Sequence, residues 1–217
     1  MRCRSFTIGA LTALTMSLLL PVSAKAATCP HQVSPAPATA NSTPYKVPDG
    51  YPAGLLGPNT LPTGPVVTKL LVGYKRLGDP PMDDKAFLTQ FYRNNPDGSG
   101  GWIYPTNFGF DGKDAPHTMN PGDVVDRFGS IYGSFLANDR DTPFAARALP
   151  PASLNTSDGD SQASYHVYCF LTPLTVRSGK IAGAFGQPGG GVQYILGNSR
   201  VTDLLTAGQI VEVAPAW

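Results

Sequence analysis

The sequence predicts an α+β domain, compact and built on antiparallel sheet with a few short helices. Two observations carry this: short strand-like runs recur through the C-terminal half between glycine, proline, serine and asparagine, and no helical spacing lasts beyond two or three turns. Tyr165 to Leu171 (YHVYCFL) is the clearest strand, with Tyr165, Val167, Cys169 and Leu171 on one face and His166, Tyr168 and Phe170 on the other. Neither face is polar, so this strand belongs inside a sheet covered on both sides. Val124 to Phe128, Val192 to Leu196 and Ile210 to Val213 read as further strands. Leu174 to Arg177 and Lys180 to Phe185 read as a hairpin turning at Ser178 and Gly179. Asp83 or Asp84 caps a short helix through Tyr92, with Ala86, Phe87, Phe91 and Leu88 as its apolar face. Pro143 starts a second helix (PFAARAL) that ends at Pro150 and Pro151. A third runs from Val201 to Ala207, capped by Asn198 or Ser199 and stopped by Gly208.

The 217 residues divide into three parts. Residues 1–26 combine Arg2 and Arg4, an apolar run from Ile8 to Val22 and the cleavable ending Ala24, Lys25, Ala26, which predicts a secretory signal peptide and an extracellular protein. Residues 27–81 hold half of the 22 prolines and predict an irregular arm that covers the body through Val66 to Tyr74. Residues 82–217 form the main domain. Loss of Arg2, Arg4 and Lys25 with the signal leaves 13 of the 16 basic residues against 15 acidic ones, a net charge near −2. That balance speaks against nucleic acid as a partner, because coating phosphates needs a basic excess. After the signal no segment is long and apolar enough to span a membrane. Cys29 and Cys169 remain, either paired in an oxidising compartment or as separate thiols. Asn41 and Asn155 lie in N-glycosylation triplets.

Motifs for a serine nucleophile elbow, a zinc protease or a phosphate loop are absent, and His31, His117 and His166 form no ligand pattern. Polar residues set among aromatics and glycines remain: Arg127 in DRFGS, then GSF, Arg147 in RALPP and Gln187 in FGQPGGGVQY. Arg127 at a strand end suits either bidentate anion binding or a structural pair with Asp126. Arg147 falls in the last turn of a helix, where a cation is favoured without any ligand. Three consecutive glycines after Gln187 imply unusual backbone angles or a close approach.

DRFGS, GSF, TPFAARALPP, YHVY and FGQPGGGVQY, in this order over residues 102–213, resemble the NAD glycohydrolase domain of the tuberculosis necrotizing toxin family, shared by secreted fungal NADases. The resemblance implies a fold related to ADP-ribosyltransferases and cleavage of NAD, and of NADP, into nicotinamide and ADP-ribose. It assigns Gln187 and Arg147 to catalysis, and Arg127, Phe128, Phe135, Ser130 and Gly189 to substrate binding, with the glycines after Gln187 leaving room for the ligand. The family's catalytic histidine has no firm match, His166 being a loose candidate. No metal is expected, since some fungal relatives bind calcium through an acidic extension and this sequence stops at Trp217 after Glu212. No cofactor is implied, because NAD is the substrate. A homodimer and an inhibitor protein stay open as partners. Two other readings share the fold: a nucleotide-binding or adhesion module without turnover, and an ADP-ribosyltransferase.

Overall fold

The computed structural model describes residues 28–30, 32, 43–97, 99–138, 142–155 and 165–214. The predicted signal peptide and Asn41 lie outside them. Among the described residues there are four short α-helices, α1 (Val67–Leu70), α2 (Asp84–Phe91), α3 (Phe144–Arg147) and α4 (Val201–Thr206). Strands β1 (Tyr92–Asn94) and β2 (Gly100–Trp102) pair as a small ribbon. The main sheet contains β3 (Ala115–Met119), β4 (Val124–Phe128), β5 (Phe135–Asn138), β6 (Tyr165–Phe170), β7 (Leu174–Lys180), β8 (Val192–Ile195) and β9 (Ile210–Glu212), in the order β3-β7-β8-β5-β4-β6-β9. Every pairing is antiparallel, so the fold class is the one that the strand pattern predicts.

β6 lies between β4 and β9 and is buried on both faces. Tyr168 and Phe170 join Val125, Leu136, Val201, Leu204 and Ile210 in the core beneath α4. Val167 and Cys169 face the other way, against Val213, and Cys169 is bonded to Cys29, which ties the N-terminal residues to the sheet. Closing so long a loop restricts the unfolded chain and stabilises by roughly 4–5 kcal/mol.

α2 forms where its cap predicts: the Asp83 carboxylate accepts the Ala86 N–H at 2.8 Å. Its buried face is Phe87 and Leu88, while Ala86 is exposed. α4 begins at Val201 without a cap from Asn198 or Ser199; instead the Asp203 carboxylate accepts the Arg200 N–H at 2.8 Å. The predicted hairpin at Ser178 and Gly179 does not form. β7 runs straight through both residues, which pair with Tyr194 and Gln193. Gly179 is there because the Phe110 ring packs on its face, where a Cβ would come within 2.7 Å.

Residues 43–81 are mostly turns but contribute to two cores. Leu56 packs with Phe87, Leu88 and Phe185. Val66, Val67 and Leu70 pack with Phe128, Phe144 and Leu154. A fully buried aliphatic side chain stabilises by about 1.5–3 kcal/mol, so these contacts hold the arm down despite its lack of regular hydrogen bonding. Asn155, half-buried, donates its amide to the Gly54 carbonyl at 3.2 Å, which seats it against the arm.

Candidate active site

The register places one row of residues across the sheet: Val167, Asp126, Ala137, Gln193 and Gly179 are successive neighbours on β6, β4, β5, β8 and β7. Above it opens a cleft of about 650 Å³. Trp102, Tyr104, Phe108, Phe128 and Phe135 supply aromatic surface, Arg127 and Arg147 the positive charge, and Gln193 an amide. Among the described residues no aspartate or glutamate lines it.

Arg147 reaches the cleft from the last turn of α3 and is almost fully buried. Its Nη1 donates to Asp126 Oδ1 and its Nη2 to Oδ2 at 2.7 Å, while Nε donates to the Thr142 carbonyl at 2.7 Å. Asp126 is fully buried and also accepts the Tyr165 hydroxyl at 2.6 Å. A buried pair of this kind survives desolvation only because its hydrogen bonds are satisfied, and its charges largely cancel. The guanidinium lies over the Phe128 ring, 5.1 Å from the centroid. Ala148, the next residue, adopts a left-handed conformation (φ 46°), which turns the chain sharply along the cleft wall.

Arg127 does not pair with Asp126, its neighbour in sequence. Adjacent residues of a strand point to opposite faces, so Asp126 is taken by Arg147 from α3. Arg127 Nε donates to the Ser130 carbonyl and Nη1 to the Phe135 carbonyl, each at 2.7 Å. No carboxylate among the described residues pairs with it. Burial draws its pKa down from the usual guanidinium value.

Of the residues assigned from sequence, Arg127, Phe128, Ser130, Phe135 and Arg147 line one cleft. Gln187 and Gly189 do not. Gln187 is buried beneath the loop, its Nε2 donating to the Lys75 carbonyl at 2.7 Å. Its Nε2 joins the arm to the loop. Gly189 has φ +68°, and a Cβ there would lie 2.7 Å from backbone atoms of Ile181 and Ala182. Its freedom serves the chain's own packing against Ile181 and Ala182. His166 is also remote in function: it points to the sheet face opposite Asp126 and holds Glu212 through Nδ1 at 2.8 Å.

The stretch is nonetheless the brace behind the cleft. Phe185 is fully buried and meets Trp102 and Tyr104 edge-on at 5.5 and 5.4 Å, supporting that wall. The Gly191 N–H donates to the Ala146 carbonyl at 3.0 Å, fixing α3 just before Arg147.

Gln193, Tyr104 and Phe108 are cleft residues that the motifs did not single out. Gln193 is buried, and its Nε2 donates to the Phe108 carbonyl at 2.9 Å. Its Oε1 accepts no hydrogen bond among the described residues. The signal for it was the alternation of Val192 to Leu196, which puts Gln193 on the same side as buried Ile195. Nothing comparable marked Tyr104 and Phe108, which sit on irregular backbone.

The chain is similar to proteins already known. The family model of the Tuberculosis necrotizing toxin matches residues 118–213. The chain is 38% identical over 147 residues to the conidial surface nicotinamide adenine dinucleotide glycohydrolase nadA of Aspergillus fumigatus, covering 64% of this chain and 61% of that protein. It thus spans about three fifths of the length of that relative. The solved structure of the tuberculosis necrotizing toxin, in complex with its immunity factor, superposes with a TM-score of 0.58 at 23% identity, covering 83% of this chain and 98% of that one. The family model and the fungal relative agree with the likeness read from DRFGS, RALPP and FGQPGGGVQY, and the toxin's structure has the same fold.

Proposed function

We propose that the protein hydrolyses the bond between nicotinamide and ribose in NAD, giving nicotinamide and ADP-ribose. The observation that carries this reading is the composition of the cleft: aromatic walls, two arginines and one buried amide, with no carboxylate on its surface among the described residues. Most glycosidases need a carboxylic acid to protonate the leaving oxygen and a second carboxylate to attack or to activate water. In NAD the nicotinamide ring is already cationic and departs from the ribose as a neutral base without needing a proton, so this chemistry does not require a free acid in the cleft. The hard step is support of an oxocarbenium-like ribose.

In this reading Arg127 holds the pyrophosphate, Phe128 and Phe135 stack against the rings, and Arg147, neutralised by Asp126, shapes the wall beneath them. Gln193 turns its Oε1 toward the ribose or the attacking water, with Nε2 anchored on the Phe108 carbonyl so that the dipole is oriented before reaction. Ser130 closes the end of the site beside Arg127. NADP enters the same cleft, export through residues 1–26 keeps the activity away from the producer's own NAD pool, and an inhibitor protein would act by covering the cleft mouth.

The test is to incubate the purified protein with NAD, and in parallel with NADP, and follow both products. Equal release of nicotinamide and ADP-ribose is the expected result. Nicotinamide with labelled protein would mean transfer, and no product would leave a binding module.

A further inference from the structure

We propose that Gly133 is a positioning residue for the substrate's anionic group: its missing side chain is the space through which Arg127 reaches the cleft. A Cβ on Gly133 would lie 1.8 Å from Arg127 Nη2, 2.2 Å from Cζ and 2.7 Å from Nη1. These are positions no two atoms can share, so a side chain at 133 and the present place of the guanidinium exclude each other. The proposal rests on the reading of Arg127 as the group that holds pyrophosphate.

Which of the two must yield is decided by the backbone. The turn carrying Gly133 is fastened on several sides. The Gly133 N–H donates to the Ser130 carbonyl at 3.2 Å, and its own carbonyl accepts the Val201 N–H at 2.9 Å. The Ile131 carbonyl accepts the Thr202 N–H at 3.0 Å and the Ser134 carbonyl the Leu196 N–H at 3.0 Å. The turn is thus pinned to the first turn of α4 and to Leu196, the residue that follows β8, and Leu196, Val201 and Leu204 are all buried in the core. The guanidinium, at the end of a flexible side chain, is held by two hydrogen bonds to the carbonyls of Ser130 and Phe135. It is the weaker partner and gives way. Gly133 does not have the positive φ that would make a larger residue strained by itself, so alanine acts through this contact alone.

The experiment compares Gly133→Ala, Arg127→Ala and the double variant by KM and kcat for NAD, by the Kd for ADP-ribose and by thermal unfolding. Arg127→Ala is expected to weaken ADP-ribose binding about tenfold or more, as loss of a charge-assisted phosphate contact does. Gly133→Ala should reproduce most of that loss, and adding it to Arg127→Ala should change neither KM nor Tm further, because the guanidinium it displaces is already gone. Parental KM and Kd in Gly133→Ala, or a double variant worse than Arg127→Ala, would overturn the proposal. If Gly133→Ala folds only when Arg127 is alanine, the steric exclusion is supported; if it folds in neither background, Gly133 is merely structural and the proposal falls. Unchanged affinity in Arg127→Ala would remove the anion-holding role itself, and with it the reading on which this inference stands.

Discussion

Gln187 and Gln193 stand in one short stretch, are both buried and both donate Nε2 to a main-chain carbonyl, yet they do different work. Gln187 sits in the loop and points away from the cleft, to the Lys75 carbonyl of the arm. Gln193 sits on β8, where the pleat turns it into the row that includes Asp126 and Ala137, under open space. The same amide is a fastener in one place and a candidate reactive dipole in the other. What separates them is the surface each faces, and this depends on the secondary structure that carries them.

The sharpest way to break the comparison is Gln193→Ala. In the proposed mechanism it removes a preoriented dipole and should lower kcat by roughly 10²–10³-fold, about 2.7–4 kcal/mol, without loss of folding. Steady-state kinetics on a variant with parental Tm would check this, and near-parental kcat would return the catalytic role to another residue. Gly189→Ala tests the loop half. A Cβ there combines left-handed backbone with overlap on Ile181 and Ala182, so unfolding in urea should show a loss of roughly 3 kcal/mol. Gln187→Ala is the mildest: it removes one of two hydrogen bonds to the Lys75 carbonyl, which keeps the Gly78 N–H, and should cost about 0.5–1.5 kcal/mol of stability. Its kcat, measured well below its Tm, should fall far less than that of Gln193→Ala. A Gln187→Ala protein that is fully stable but inactive would reverse the assignment of the two amides.

A similar contrast holds for the two arginines. The dipeptide Asp126–Arg127 invites pairing between neighbours, but strand geometry forbids it and hands Asp126 to Arg147. The outcome is one arginine neutralised in the wall and one without a carboxylate partner among the described residues. Helix position alone accounted for Arg147 through the dipole and pointed to no acid. The pairing came from β4 and α3, which meet only in the folded chain.

The local features were legible because they rest on local physics. The Asp83 cap, the alternation in Tyr165 to Phe170 and the proline boundaries of α3 are written in spacings of a few residues. Ser178 and Gly179 misled for the same reason: they carry a turn signal, and only the Phe110 ring packed above explains a glycine within a strand. The cleft was half legible. DRFGS, GSF and RALPP led to residues that line it, since each motif lies where an element begins or ends beside the cleft. FGQPGGG led to the brace behind it. Tyr104 and Phe108, on irregular backbone, carried no periodic signal.

By itself the sequence determined the class of fold, the Asp83 cap and the family likeness, because propensity, periodicity and motif order act over short distances along the chain. Only the tertiary structure decided which amide faces the cleft, which arginine is neutralised and what the glycines make room for. Those are questions of what lies opposite a side chain, and the answer comes from β8 against Phe108, α3 against β4, and a turn at Gly133 closed around Arg127.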